Sequence, residues 1–165
     1  MPTPTSSLNA FVATATKAAR LAAREITRAA QDRDQLEITD KAAEAAIVRE
    51  LMEAYPQHGI LTEEAGRLGP KSDFLWIIDP IDGTTNFIHG LPQYAVSIAL
   101  TYCGEPIAAV VYDVAKNELF TAAKGQGAKL DSRRIRVSEN DEMRRSLIGT
   151  GFPFRPGADI EGYLK

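Results

Sequence analysis

The apolar runs in the later part of the chain are joined by connections too short for any but antiparallel strands. Tyr94 to Tyr102, Ile107 to Tyr112, Glu118 to Ala122 and Gly127 to Leu130 are linked by Cys103-Gly104-Glu105-Pro106, Ala115-Lys116-Asn117 and Lys124-Gly125-Gln126. These are hairpin lengths, whereas a parallel pair needs a crossover of about a dozen residues or more. Upstream, Gly59-Ile60-Leu61-Thr62 and Phe74-Leu75-Trp76-Ile77-Ile78 also read as strands. Before Pro56 the pattern differs. Leu8 to Ala30 is dense in Ala, with Phe11, Val12, Leu21 and Ile26 among basic residues and no Gly or Pro, and predicts one long helix. A second helix is expected from Asp40, whose carboxylate can cap free amides while Glu44 reaches back, with Ala43, Ala46, Ile47, Val48, Leu51 and Met52 on one side. Tyr55-Pro56 ends it. Between the helices, Gln31 to Thr39 is a charged connection in which Leu36-Glu37-Ile38-Thr39 alternates like a strand cut short. The expected class is α+β, two helices backing an antiparallel meander.

Composition narrows the function. With 44% hydrophobic and 25% charged residues, 165 residues are enough for one domain with a sizeable core. Nineteen Lys+Arg against 22 Asp+Glu give a net charge of -3, without a basic stretch interleaved with aromatics, so no direct nucleic-acid binding is expected. Cys103 is the one cysteine, which excludes an intramolecular disulfide or a cysteine-built zinc site and favours the cytoplasm. Met1 to Ser7 lacks the basic and apolar regions of a secretory signal, and no run of about eighteen apolar residues suggests a membrane span.

The chemistry concentrates between Glu63 and Asn86. Glu63-Glu64 follows one expected strand, and Asp79-Pro80-Ile81-Asp82-Gly83-Thr84-Thr85-Asn86 follows another that is wholly apolar. Carboxylates gathered at neighbouring strand ends repel one another unless a hard cation neutralises them, and an oxygen-only set selects magnesium, calcium or manganese over zinc. Magnesium is the expected ion. Pro80 fixes the backbone between Asp79 and Asp82, so that both side chains and the carbonyl of Ile81 can converge on a pair of ions. Gly83-Thr84-Thr85 would offer free N–H groups at the start of a short helix, suiting a phosphate. An isolated Asp-Pro-x-Asp-Gly string is often a surface turn, Glu63-Glu64 could be a solvated acidic turn, and Thr84 could be no more than a cap. The apolar strand before Asp79 argues against the turn. His58 and His89, without ligand-spaced partners, read as surface or hydrogen-bonded histidines, Cys103 as an incidental thiol, and Arg133-Arg134-Ile135-Arg136 as a solvated strand edge. Ser97 lies within an apolar strand and lacks the context of a nucleophile.

The stretch Trp76-Ile77-Ile78-Asp79-Pro80-Ile81-Asp82-Gly83-Thr84-Thr85-Asn86-Phe87 closely resembles the first signature of the inositol monophosphatase family of magnesium-dependent, lithium-sensitive sugar phosphatases, and within it the bacterial members. Agreement extends through Asp40-Lys41-Ala42-Ala43-Glu44, Tyr55-Pro56-Gln57-His58, Thr62-Glu63-Glu64, Ala95-Val96-Ser97, Asn117-Glu118-Leu119-Phe120, Gly125-Gln126-Gly127-Ala128 and Gly149-Thr150-Gly151-Phe152-Pro153-Phe154. The resemblance implies a layered αβαβα fold, of which residues 1–165 would supply the N-terminal metal- and phosphate-binding portion. It implies that Glu63, Asp79 and the Ile81 carbonyl hold a first ion, and that Asp79 and Asp82 share a second with an Asp of the family's later half, which these residues do not contain. Glu63 and Thr84 would orient the attacking water, and the amides of Gly83 and Thr84 would grip the phosphate. A Lys-containing segment of the family is also absent near Thr39 and Asp40. The implied activity is hydrolysis of inositol monophosphate or a similar small sugar phosphate by metal-activated water, two cations serving an in-line displacement. The alternatives are a non-catalytic role with the transcription machinery, as in some bacterial relatives, or a 3'(2'),5'-bisphosphate nucleotidase of the same superfamily. A homodimer is expected.

Overall fold

A computed structural model of the chain describes residues 5–30, 36–149, 151 and 157–164. These form two compact units, Met1–Ile135 and Arg136–Lys165. The first contains two long helices, α1 (Thr5–Ala29) and α2 (Leu36–Ala54), and a single eight-stranded sheet. Its strands are β1 (Gly59–Thr62), β2 (Gly66–Leu68), β3 (Phe74–Asp82), β4 (Ala95–Tyr102), β5 (Glu105–Asp113), β6 (Glu118–Ala123), β7 (Gly127–Leu130) and β8 (Arg133–Ile135), with the short helix α3 (Thr84–Ile88) after β3. The spatial order is β2-β1-β3-β4-β5-β6-β7-β8. In the second unit the described elements are a 3-10 turn at Met143–Arg145 and the helix α4 (Ile160–Tyr163), whose N-cap Asp159 accepts a hydrogen bond from the Gly162 amide at 2.8 Å. The Phe152-Pro153-Phe154 part of the family-like stretch lies outside the described residues, as do Gln31 to Gln35.

The helices follow from spacing and side-chain size. Leu8, Phe11, Ala15, Ala18, Ala19, Ala22 and Ile26 recur at helical intervals and are buried. Their small size lets α1 lie close to both α2 and the strands β4 to β6. In α2, Ala43, Ala46, Ile47 and Leu51 are buried, while Met52 is exposed. Lys17 of α1 pairs with Glu50 of α2 at 2.7 Å. The sheet meets this helix layer through Ile60, Trp76, Ile78, Val96, Ile98, Leu100, Ala108 and Val110. The alternate residues face the other way, leaving Leu61, Ile77 and Val111 on an open apolar face.

One expectation is overturned here and another is refined. Leu36-Glu37-Ile38-Thr39 is the first turn of α2 rather than a truncated strand, which puts Asp40 inside the helix instead of at its N-cap. Four alternating residues are too few to fix a period, and Thr39 and Ala43 share a buried helical face while Ile38 points to solvent. The meander is also not wholly antiparallel. β1 pairs with β3 in parallel, Ile60 opposite Trp76 and Thr62 opposite Ile78, because the intervening hairpin strand β2 takes the outer side of β1. From β3 to β8 every pairing is antiparallel. The β4–β5 turn uses Cys103 at φ 51° and Gly104 at φ 83°, the left-handed pair that matches strand twist in a two-residue hairpin. Among the described residues no helix is long and apolar enough to cross a membrane.

Candidate metal and phosphate site

Parallel pairing of β1 and β3 brings their C-terminal ends to the same edge of the fold. Since Thr62 lies opposite Ile78, Glu63 and Asp79 leave the sheet side by side. The chain turns after β1 with the Ala65 amide donating to Thr62 Oγ1 at 3.0 Å. Glu63 and Asp79 line one groove of about 350 Å³ with Leu61, Thr62, Ile77 and Ser97. Ser97, to which no role was assigned, is the direct cross-strand partner of Asp79.

A β-bulge sets the phase of the second acid. Asp79 pairs with Ser97 and Asp82 pairs with Ala95, so three steps along β3 are matched by two along β4. In a regular strand, residues three apart point to opposite faces. The extra residue cancels that offset and turns Asp79 and Asp82 to the same side. Pro80 suits the bulge because it has no N–H to lose from the ladder, and Pro80 and Ile81 are fully buried beneath it. The Ile81 amide donates to Asp79 Oδ1 at 3.1 Å, and the Thr84 hydroxyl donates to the Ile81 carbonyl at 2.9 Å. A carbonyl oxygen has two lone pairs, so this bond does not by itself exhaust its capacity. Gly83 then turns the chain into α3 at φ 92°, where an added Cβ would lie 2.7 Å from the Gln93 carbonyl. Asn86 Nδ2 also donates to the Gln93 carbonyl, at 2.8 Å, which ties α3 to the segment before β4.

The electrostatics reveal an acid that sequence reasoning assigned to capping. Burial, then Glu63, Asp82 and Asp40, push the Asp79 carboxyl up to about 6, against the opposing pull of the Ile81 N–H. Asp40 is likewise raised to about 6, by burial first and then by Glu64, Glu44 and Glu63. Asp40 therefore faces the strand-end acids from α2. The spacing of Asp40 and Glu44, one helical turn apart, was the available signal, and the mistaken helix start concealed it. Asp40 Oδ1 and Glu44 Oε2 are buried without a hydrogen-bond partner. Among the described residues no three Asp, Glu, His or Cys side chains close around a point as a ready metal cage. The acids are neighbours within electrostatic reach, with the Ile81 carbonyl following Asp79 along β3. A hard divalent cation fits this oxygen-only donor set, in which Asp40 and Asp79 are raised in pKa by burial first and then by acidic neighbours, and in which Asp40 Oδ1 and Glu44 Oε2 are buried without hydrogen-bond partners.

The remaining candidates fall elsewhere. His58 is a core residue, not a surface or hydrogen-bonded one: it is 5% exposed and stacks between Tyr55 and Phe74 at ring distances of 4.9 and 4.6 Å. Burial lowers its pKa, and its Nδ1 has no partner. His89 is exposed at the C-cap of α3, Cys103 is an exposed free thiol, and Arg133 to Ile135 form the exposed edge strand β8.

The chain and its fold are similar to known proteins. The family model described as "Inositol monophosphatase family" matches residues 5–162. The Nus factor SuhB of Pseudomonas aeruginosa is 49% identical over 137 residues, covering 80% of this chain and 51% of that protein. The inositol monophosphatase from Anabaena (Nostoc) sp. PCC 7120 superposes with a TM-score of 0.77 at 40% identity, over 82% of this chain and 52% of that one. Inositol monophosphatase II from Staphylococcus aureus gives a TM-score of 0.78 at 32% identity, over 86% and 57%, and SaIMPase-II has been solved with inositol monophosphate and with 2'AMP bound. The chain spans between 51% and 65% of the length of the curated relatives it matches.

Proposed function

Because the chain belongs to the inositol monophosphatase family, we propose that it forms the cation- and phosphate-binding part of a magnesium-dependent phosphomonoesterase acting on inositol monophosphate or a similar small sugar phosphate. The observation that carries this reading is the convergence of Glu63, Asp79 and Asp82 on one edge, with Asp79 raised to about 6 by burial and by its acidic neighbours. Magnesium ions bound there would neutralise the carboxylates, activate the attacking water and stabilise the leaving oxygen.

The chain's own residues have separable tasks in this proposal. Glu63, Asp79, Asp82 and the Ile81 carbonyl are the ligands. Glu63 and the Thr84 hydroxyl orient the water, the hydroxyl being anchored by its bond to Ile81 O at 2.9 Å. The Gly83 and Thr84 amides face the phosphate, and the absence of a side chain at Gly83 permits the close turn past Gln93. The reaction transfers the phosphoryl group directly to water, without a phosphoenzyme.

The test is phosphate release from inositol 1-phosphate in the presence of magnesium, by the whole protein. Asp82→Asn is expected to lower turnover by on the order of a thousandfold through loss of a ligand. An Asp82→Asn protein that keeps its activity refutes the assignment. Preference for adenosine 3',5'-bisphosphate would move the substrate to the nucleotidase reading while leaving the site intact. A second reading, partnership with the transcription machinery, is favoured by the name Nus factor SuhB carried by the curated relatives. It requires a reproducible transcription-factor partner in pull-down that survives Asp82→Asn. Homodimerisation belongs to this proposal as well, with light scattering of the whole protein as its measure, and a reducing cytoplasmic setting accords with the lone thiol of Cys103.

A further inference from the structure

On the side of the sheet covered by helices, a cleft of about 450 Å³ opens between α1 and the β5–β6 turn, lined by Arg20, Ala23, Arg24, Thr27, Tyr112, Val114 and Asn117. Among the described residues no acid lines it, although acids outnumber bases in the chain by 22 to 19. The basic residues of α1 divide sharply. Lys17 pairs with Glu50 at 2.7 Å and Arg28 with Glu25 at 3.0 Å. Arg20 and Arg24, one helical turn apart and both in the cleft, make no ion pair with any described residue. Arg20 instead lies over the Tyr112 ring, 5.8 Å from its centroid.

Opposite the two arginines, the Asn117 amide is fixed so as to present a donor. The nearly buried Tyr112 hydroxyl donates to Asn117 Oδ1 at 2.5 Å, which orients the amide and leaves its Nδ2 hydrogens unspent among the described residues. Thr27 spends its proton on the Ala23 carbonyl at 2.7 Å and adds no donor to the cleft, so the donors are the two guanidiniums and the Asn117 amide. Two guanidiniums and an oriented amide, without a carboxylate among them, form a receptor for an oxyanion. A guanidinium offers paired N–H groups that match two oxygens of a phosphoryl group at once. We propose that this cleft is a second anion site, separate from the strand-end acids, which takes the phosphoryl group of a small phosphorylated compound or free phosphate. Two cations favour a dianion over a monoanion. The space exceeds what a single phosphate ion fills, so an organic portion can lie against Ala23 and Val114.

The test uses the whole protein in EDTA, where the acidic site repels anions, with inorganic phosphate as the probe and NMR of the Arg side-chain Nε–H and Asn117 Nδ2–H signals as the readout. Saturable shifts at Arg20, Arg24 and Asn117 are expected, with affinity falling about tenfold or more in Arg20→Gln/Arg24→Gln, as loss of charge-assisted hydrogen bonds implies. Arg24→Gln alone, which leaves the Arg20–Tyr112 contact untouched, is expected to show an intermediate loss and guards against misfolding of the double variant. AMP run beside inorganic phosphate separates the sources: tighter AMP binding assigns the phosphoryl group to an organic ligand, and equal binding assigns it to the free anion. Acetate at equal ionic strength is expected to bind more weakly than phosphate. Shifts confined to Gly83 and Thr84, absence of saturation, or affinity unchanged in both Arg variants would overturn the proposal.

Discussion

Asp79 carries a conflict that a cation would resolve. Its carboxyl is half-buried among Glu63, Asp82 and Asp40, and the single N–H from Ile81 does not offset them. Asp79→Asn is therefore expected to raise the melting temperature of the metal-free protein by a few degrees while abolishing phosphatase turnover, a combination that calorimetry and a phosphate assay read together. The pH dependence has a definite sign. An acid whose folded pKa of about 6 lies above its ordinary 3.8 keeps its proton in the folded chain after the unfolded chain has lost it. The stability this confers is whole below pH 4 and is lost as pH rises to about 6. His58 acts oppositely: its lowered pKa means that stability is lost as pH falls below 6.5. The two trends overlap, so the acids are best isolated by the difference between magnesium and EDTA. That difference in melting temperature is expected to be larger at pH 7.5 than at pH 5, where protons compete for Asp40 and Asp79. An equal difference at both values would place the cation elsewhere.

Among the elements, the β3 bulge and the turn into α3 matter most for the site. The bulge converts a three-residue spacing, which would divide Asp79 and Asp82 between two faces, into one that unites them. Gly83 is held at φ 92° with the Gln93 carbonyl where a side chain would begin. Gly83→Ala is expected to cost about 1–3 kcal/mol in denaturant unfolding, from left-handed backbone strain together with the close contact. The same change is expected to weaken phosphate binding more than magnesium binding, because it moves the Gly83–Thr84 amides and leaves the carboxylates in place. The α2 start shows how a local pattern misleads. Leu36 to Thr39 alternates for too short a distance to distinguish a strand from a helix, and the buried face shared by Thr39 and Ala43 decides for the helix.

At the level of the whole molecule, one sheet face is covered by α1 and α2 and the other is open. Leu61 at 37%, Ile77 at 41% and Val111 at 38% exposure lie on that open face, beside the grooves bordered by Ser97 and by Ala109 and Ala122. A polypeptide of these 165 residues alone is expected to self-associate as its concentration rises, since an apolar surface of this kind gains by leaving water. Light scattering measures it, and Val111→Lys is expected to reduce the association. A monomer unaffected by concentration would show that this face tolerates water. The edge strands β2 and β8 are short, and β8 carries Arg133 and Arg134, which opposes edge-to-edge pairing.

Much was legible in the sequence because it depends on neighbours along the chain. Hairpin-length connections located β4 to β7, and the apolar run ending at Asp79 located β3. The chain alone did not disclose that β1 runs parallel to β3, that a bulge phases Asp79 with Asp82, that Asp40 faces the same acids from α2, or that His58 is enclosed by Tyr55 and Phe74. Turn chemistry and periodicity are properties of adjacent residues and can be read locally. Pairing partner, strand phase and burial depend on residues far away in the chain, and these are settled only when the sheet and its helices pack together.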